Sequence, residues 1–334
     1  MGVVVLTGLV LWVLWHNWLD FKQQPISQLS EPLVLQIEKG ASATQIAQQL
    51  HQQGFMAKPQ WFVWYLRYQN QHHLLKAGEF RLSPDLTVDQ LIAELIKGES
   101  VYYPATLVAG QTFTQMLKQL QTHEKLAREL DLQDIPALKL KLGVEGESDS
   151  EYPYALFEGR FLPETYFFTK GESDLQILLR AKAAMEQTLN QSWSNRQPDL
   201  PLQSAQQALV LASIVEKETG LAAERPLIAG VFVNRLRQGM RLQTDPTVIY
   251  GAGADYDGNI RRRDLNAKNA YNTYQIEGLP PTPIAMPSKE AIEAVLNPQT
   301  TDALFFVAKG GGAHQFSVTL EEHNRAVKHY LLQQ

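Results

Sequence analysis

The chain has 334 residues, enough for two domains and a sizeable core. Charged residues make up 19% of it and hydrophobic residues 44%, a globular balance that excludes a disordered chain. A net charge of -5 argues against nucleic-acid binding, and the absence of cysteine excludes disulfides, thiolate catalysis and cysteine metal sites.

In chain order, the first predicted element is an apolar helix. Gly2 to Leu19 (GVVVLTGLVLWVLWHNWL) carries no formal charge and is close to the length that crosses a bilayer, with Trp15 and Trp18 near its end where interfacial aromatics belong. No small-residue cleavage site follows, so residues 1–20 read as an uncleaved single-pass anchor rather than a signal peptide. Residues 21–32 read as a polar linker.

Three segments then share one pattern: IEKGASATQIAQQL from Ile37, LSPDLTVDQLIAEL from Leu82 and LVAGQTFTQMLKQL from Leu107. Each begins at the end of a β-like run (LVLQI, GEFRL, TLV) and continues through a Gly or Asp turn into a capping box. The boxes are Ser42 with Gln45, Thr87 with Gln90, and Thr112 with Gln115, each followed by apolar residues at helical spacing. Unequal spacing between the units excludes a solenoid. A further helix begins near Pro59. Residues 33–100 therefore read as a small α+β module that is similar to a LysM-like peptidoglycan-binding module, a generic adapter subdomain being the alternative.

Beyond residue 101 the pattern predicts a helix from Phe113 to about Arg128, a polar acidic loop (GVEGESDSEYP), an aromatic turn (EGRFLPETYFF), and a long helix from about Ser173 to Leu189. Arg261 to Arg263 reads as a solvated turn. The triple glycine at 310–312 follows a strand-like run without a suitable helix after it, so it reads as a hairpin turn rather than a phosphate cradle. His314 and His323 lack any metal-ligand spacing, so neither metal nor cofactor is expected.

The most informative helix opens at a Ser204 N-cap, runs through LASIVEKET and stops at Gly220 as its C′ residue. Glu216 and Glu218 lie about 200° apart around its axis, so they cannot form a dyad. Counting back from Glu218 meets Val215, Ile214 and Leu211, which places it on the buried stripe. The negative end of the helix dipole and apolar surroundings both favour a protonated carboxyl there, the state a general acid needs.

Several further polar residues are candidates, each with a structural alternative. Asp245 in QTDPT is a possible second carboxylate or a turn cap before Pro246. Glu224 reads as a favourable charge at the N-terminus of the next helix. Tyr271, Asn272 and Tyr274 precede a proline-rich loop and read as a groove wall, with Asn272 holding a sugar, or else as core packing. Gln243 and Asn234 are further substrate-side candidates, Asn234 equally readable as a cap inside the core.

The motifs EGRFLPETY (158–166), ASIVEKET (212–219), NRLRQGMRLQTDPTVIYG (234–251), AYNTYQIEGLPPTPI (270–284) and FFVAKGGGAHQFSVTLEEHN (305–324) are long and specific. Through them the chain resembles the YceG-like endolytic murein transglycosylase family (MltG type) over roughly residues 33 to 332. The resemblance implies a membrane helix, a body in the periplasm at the inner membrane, a LysM-like subdomain, and a lysozyme-like mixed catalytic domain over 101–334. It also implies glycan strands of peptidoglycan as substrate and a peptidoglycan synthase of the elongation or division machinery as neighbour. The family's acid/base is the second glutamate of EKET, here Glu218. Glu164, Met286 and Ser288 depart from the family's usual residues without touching the acid. The expected activity is endolytic cleavage of MurNAc–GlcNAc bonds of nascent strands to 1,6-anhydro ends, which limits strand length. A hydrolytic muramidase and a silent glycan-binding scaffold are the alternatives.

Overall fold

The computed structural model describes all residues except 1, 24, 26–29, 99 and 332–334, and not the side chains of 2–7, 10, 11 and 14. It is a mixed α+β protein of two units. One comprises residues 1–103 with 167–171, the other 104–166 with 172–334.

The first unit contains α1 (Gly2–Gln23), β1 (Leu33–Ile37), α2 (Ala43–Gln52), α3 (Pro59–Tyr68), β2 (Gly78–Leu82) and α4 (Val88–Lys97). The first two expected capping boxes form: Ser42 and Thr87 accept from the backbone of Gln45 and Gln90, and the glutamine side chains return the bond. Strands β1 and β2 pair antiparallel, with Leu35 opposite Phe80. Helices α2, α3 and α4 bury Leu50, Phe62 and Leu91 against them.

The stretch expected to cross a membrane does form a helix. Among the described residues, however, no helix is long and apolar enough to do so. The C-terminal half of α1 carries His16, Asn17, Asp20 and Lys22, and its Trp18 and Phe21 pack on α3 while Trp15 stays exposed. Trp18 meets Tyr65 edge-on with centroids 5.3 Å apart, and Phe21 meets Trp61 at 5.6 Å. Trp18 is therefore a packing residue rather than an interfacial one. Part of the expected anchor and part of the linker lie outside the described residues.

The rest of the chain contributes β3 (Tyr103–Thr106), α5 (Phe113–Leu120), α6 (Ile135–Leu142), β4 (Thr165–Phe168), α7 (Asp174–Ser194), α8 (Ala205–Glu218), α9 (Arg225–Arg237), α10 (Asp245–Ala252), α11 (Arg262–Asn266), α12 (Lys289–Leu296), β5 (Phe305–Gly310), β6 (Ala313–Ser317) and α13 (Leu320–Tyr330). The third capping box, Thr112 with Gln115, opens α5 as expected. That helix stops eight residues short of the expected Arg128. Gln121 is drawn away to donate to Leu130 O (2.8 Å) and to Asp174 (2.7 Å), and Ala127 N bonds Glu172 O. Helix α6, capped by Asp134, has no counterpart among the sequence expectations.

Helix α8 is the centre of the second unit. It packs against α7, α9, α10 and α12, and every residue from Ala208 to Val215 is buried. Its N-cap is Ser204, as the pattern requires, and Gly220 holds the expected C′ position, although not at positive φ. The helix ends because Thr219 is extended (φ -143°, ψ 136°). Ser213 turns its hydroxyl to Val210 O and accepts from Ile284 N at 3.0 Å, which pins the proline-rich loop to the helix. The triple glycine is the turn between β5 and β6, with all three residues at positive φ.

Candidate active site

Helix α8 delivers Glu218 as its last residue into a cavity of about 470 Å³. Polar neighbours there include Gln243 and Asp245 at the start of α10, Tyr274 in the loop after α11, His314 in β6 and His323 in α13, with β5 lining the wall through Phe305 and Phe306. The buried Arg235 of α9 closes one side. It is held by bonds to Leu304 O (2.7 Å) and Leu242 O (2.7 Å).

Burial raises the Glu218 carboxyl to about 7, as its position on the apolar stripe suggested. A hydrogen bond from the Thr244 hydroxyl to Oε1 opposes the rise, the charge of Asp245 adds to it, and His314 and Arg235 restrain it. Near neutral pH the group can therefore both give and take a proton, the poise a general acid/base requires.

Thr244 is the residue the sequence reading missed. It is fixed by two other buried threonines: its N–H donates to Thr273 Oγ1 (3.0 Å), and its carbonyl accepts from Thr247 Oγ1 (2.7 Å). The Thr247 and Thr273 hydroxyls are themselves 2.8 Å apart. The run TDPT shows the aspartate and proline plainly. Nothing local says that its first threonine meets a carboxylate 26 positions earlier. Gln243, just before it, sits in the left-handed region at φ 50°, an uncommon conformation for a side-chain-bearing residue and one that clusters at functional sites.

Four of the seven candidate residues share the cavity: Glu218, Gln243, Asp245 and Tyr274. Tyr274 OH donates to Asp245 Oδ1 at 2.8 Å, so Asp245 is neither an isolated charge nor the N-cap of α10, which is Thr244. The other three serve the fold. Tyr271 is buried between Tyr152 and Tyr250, at 4.6 and 4.7 Å between centroids. Asn272, expected to hold a sugar, is wholly buried; its amide donates to the carbonyls of Asp264, Leu265 and Ala267, and its Oδ1 accepts from Tyr274 N. It thus brackets the loop that presents Tyr274. Asn234 ties Thr301 O and Ala303 O at 2.7 and 3.2 Å.

Glu216, two residues from Glu218, has a different environment. It pairs with Arg225 at 3.1 Å and accepts from both the backbone and the hydroxyl of Ser288. Lys217 between them reaches Gly110 O and lines a second cavity of about 640 Å³, with Pro246, Tyr152, Tyr154, Tyr250 and the buried Glu158. Burial raises the Glu158 carboxyl to about 8, while bonds from Phe113 N and the Tyr250 hydroxyl hold it down. Among the described residues no three metal-binding side chains gather.

The family whose sequence profile matches this chain is described as YceG-like and covers residues 35–329. An endolytic murein transglycosylase of Bacillus subtilis strain 168 is 30% identical over 92% of this chain and 88% of its own length. An endolytic murein transglycosylase of Streptococcus pneumoniae strain D39 is 31% identical over 88% of this chain, which spans 58% of that relative. Among solved structures, a yceG-like protein of Listeria monocytogenes superposes with a TM-score of 0.55 at 29% identity, covering 89% of this chain and 99% of that one. On the family match and on this identity over most of both chains, the protein belongs to the YceG-like family.

Proposed function

We propose that the protein is an endolytic lytic transglycosylase of peptidoglycan and that Glu218 is its acid. The observation that carries this is a single carboxyl raised to about 7 at the end of a buried helix, opening on a cavity with hydroxyl and amide groups around it. Its relatives' names give the reaction class. Glu218 donates its proton to the oxygen joining MurNAc to GlcNAc, and the C1–O bond breaks with its electron pair on that oxygen. The C6 hydroxyl of the same MurNAc then attacks C1 and closes the 1,6-anhydro ring. The tethered hydroxyl has a high effective concentration, so no second carboxylate is needed to activate water. The carboxylate left on Glu218 can take the hydroxyl's proton and reset itself.

Cleavage inside a strand requires sugars on both sides of the broken bond. The two cavities flanking Glu218 and Lys217 on α8, and Asp245 and Pro246 on α10, support that reading. The order β1–α2–α3–β2 with antiparallel strands supports a LysM-like, glycan-binding first unit. A peptidoglycan substrate supports a body in the periplasm beside the inner (cytoplasmic) membrane. A peptidoglycan synthase supplies the nascent strands whose length the cleavage limits.

Because Asp245 shares the cavity, a muramidase is the second reading. Mass spectrometry of digested glycan strands decides between them. Anhydro-MurNAc ends are expected; reducing MurNAc ends would show that water attacks and would overturn the transglycosylase.

A further inference from the structure

The second cavity, of about 640 Å³, has a rigid aromatic wall and two cations, and no chemical step above uses either. The wall is made by Tyr152, Tyr154, Tyr250 and Tyr256. Three of their hydroxyls are tied down: Tyr152 to Gly251 O at 2.9 Å, Tyr154 to Leu132 O at 2.7 Å, and Tyr250 to the Glu158 carboxyl. Those rings therefore hold their places. The cations are Lys217 of α8 and Lys118, which lies one turn from Thr114 on the face of α5 that lines the cavity. Among the described residues neither ammonium pairs with a carboxylate. That of Lys217 gives one hydrogen to Gly110 O at 3.1 Å and keeps two for a ligand.

The buried Glu158 is part of the lining, yet it does not repel an anion. Burial raises its carboxyl to about 8, so it is largely neutral near pH 7, and it is bonded to Phe113 N and the Tyr250 hydroxyl. Glu151 is the other carboxylate of the cavity, and it accepts from the Tyr152 hydroxyl at 3.1 Å. Two lysines against one engaged carboxylate leave the cavity electropositive. The disaccharide of an intact strand offers it no anion. Hydroxyls and acetamides are uncharged, and the lactyl carboxyl of MurNAc is held in an amide. The carboxylates of the strand lie on its peptide stems. A stem leaves the ring at O3, two carbons from the C1 on which Glu218 acts, and Lys217 adjoins Glu218 on α8.

We propose that this cavity holds the acidic peptide stem of the MurNAc being cleaved, with Lys118 and Lys217 binding a stem carboxylate and the tyrosine wall packing on the peptide. The inference rests on the transglycosylase reading and names the part of the strand that this side of α8 recognises. Both lysines act in recognition and move no proton in the reaction. Their contribution is made equally in the ground state and the transition state, so it falls on KM rather than on kcat.

The test measures kcat and KM of the full chain on short glycan strands of three kinds: with free-acid stems, with stems whose carboxyls are amidated, and with the stems removed. Wild type, K118Q, K217Q and E218Q are compared. Wild type is expected to favour free-acid strands on the order of 10-fold over the other two, through KM. K118Q and K217Q should each lower that ratio several-fold toward one. Because the ratio is taken within each variant, a general loss of activity or folding cancels. A wild type that cleaves free-acid strands no better than amidated or bare ones would overturn the stem site. So would a ratio that both lysine variants leave at the wild-type value. An E218Q as active as wild type would instead remove the reading on which the inference rests.

Discussion

The Thr244 hydroxyl donates to Glu218, and so favours the ionised form of a carboxyl that burial pushes toward its neutral form. Removing it in T244V is expected to raise the Glu218 carboxyl further, by about one unit if the bond is worth ~1.5 kcal/mol. The alkaline limb of the rate profile, which reports loss of the acid's proton, should move upward by that amount. A limb that stays in place, measured on strands between pH 5 and 9, would show that this bond does not tune the acid. Glu216 carries the opposite expectation. Its carboxylate is paired with the partly buried Arg225 and holds Ser288, so E216A should cost about 3 kcal/mol of stability in denaturant unfolding. At this scale the sequence revealed Glu218, because its neighbours at three, four and seven positions back define a stripe. It did not reveal Thr244 or the Glu224–His314 pair, whose members lie 26 and 90 positions apart and meet only through tertiary packing. Asn272 misled for a related reason. A buried amide that satisfies three carbonyls and an exposed amide that binds sugar look alike along the chain.

The helices were legible where local chemistry decides them. Ser42, Thr87, Thr112 and Ser204 each cap the helix that the pattern assigned to them. Replacing Ser204 with Ala is expected to cost ~1 kcal/mol, since the Gln207 N–H would lose its acceptor at the start of the central helix. A thermal or denaturant midpoint equal to wild type would show that water replaces the cap fully. Ends set by tertiary contacts were not legible. Helix α5 stops where Gln121 and Ala127 are claimed by residues 130 and 172–174. The N-terminal helix follows the same division. Its uncharged apolar run predicts a helix, but the fate of Trp18 and Phe21 depends on Trp61 and Tyr65 of α3, which no local window contains.

For the whole molecule, two buried acids make stability depend on pH in a definite direction. Glu158 is raised to about 8 and Glu218 to about 7, whereas both ionise near 4.3 in the unfolded chain. Above that value the unfolded state releases protons that the folded state keeps. Stability therefore falls as pH rises, by up to about 1.4 kcal/mol per pH unit for each group, until the folded value is passed. E158Q is expected to flatten the decline between pH 5 and 8, and a melting profile as steep as wild type would show that Glu158 ionises without penalty.

The most direct test of the central claim is to compare wild type, E216Q and E218Q on the same glycan strands at neutral pH, with melting temperatures measured in parallel. E218Q is expected to melt above wild type, because its buried acid no longer penalises folding, yet to lose cleavage on the order of 10³-fold or more. E216Q should melt lower and, while folded, still cleave. A folded E218Q that cleaves at the wild-type rate would contradict Glu218 as the acid.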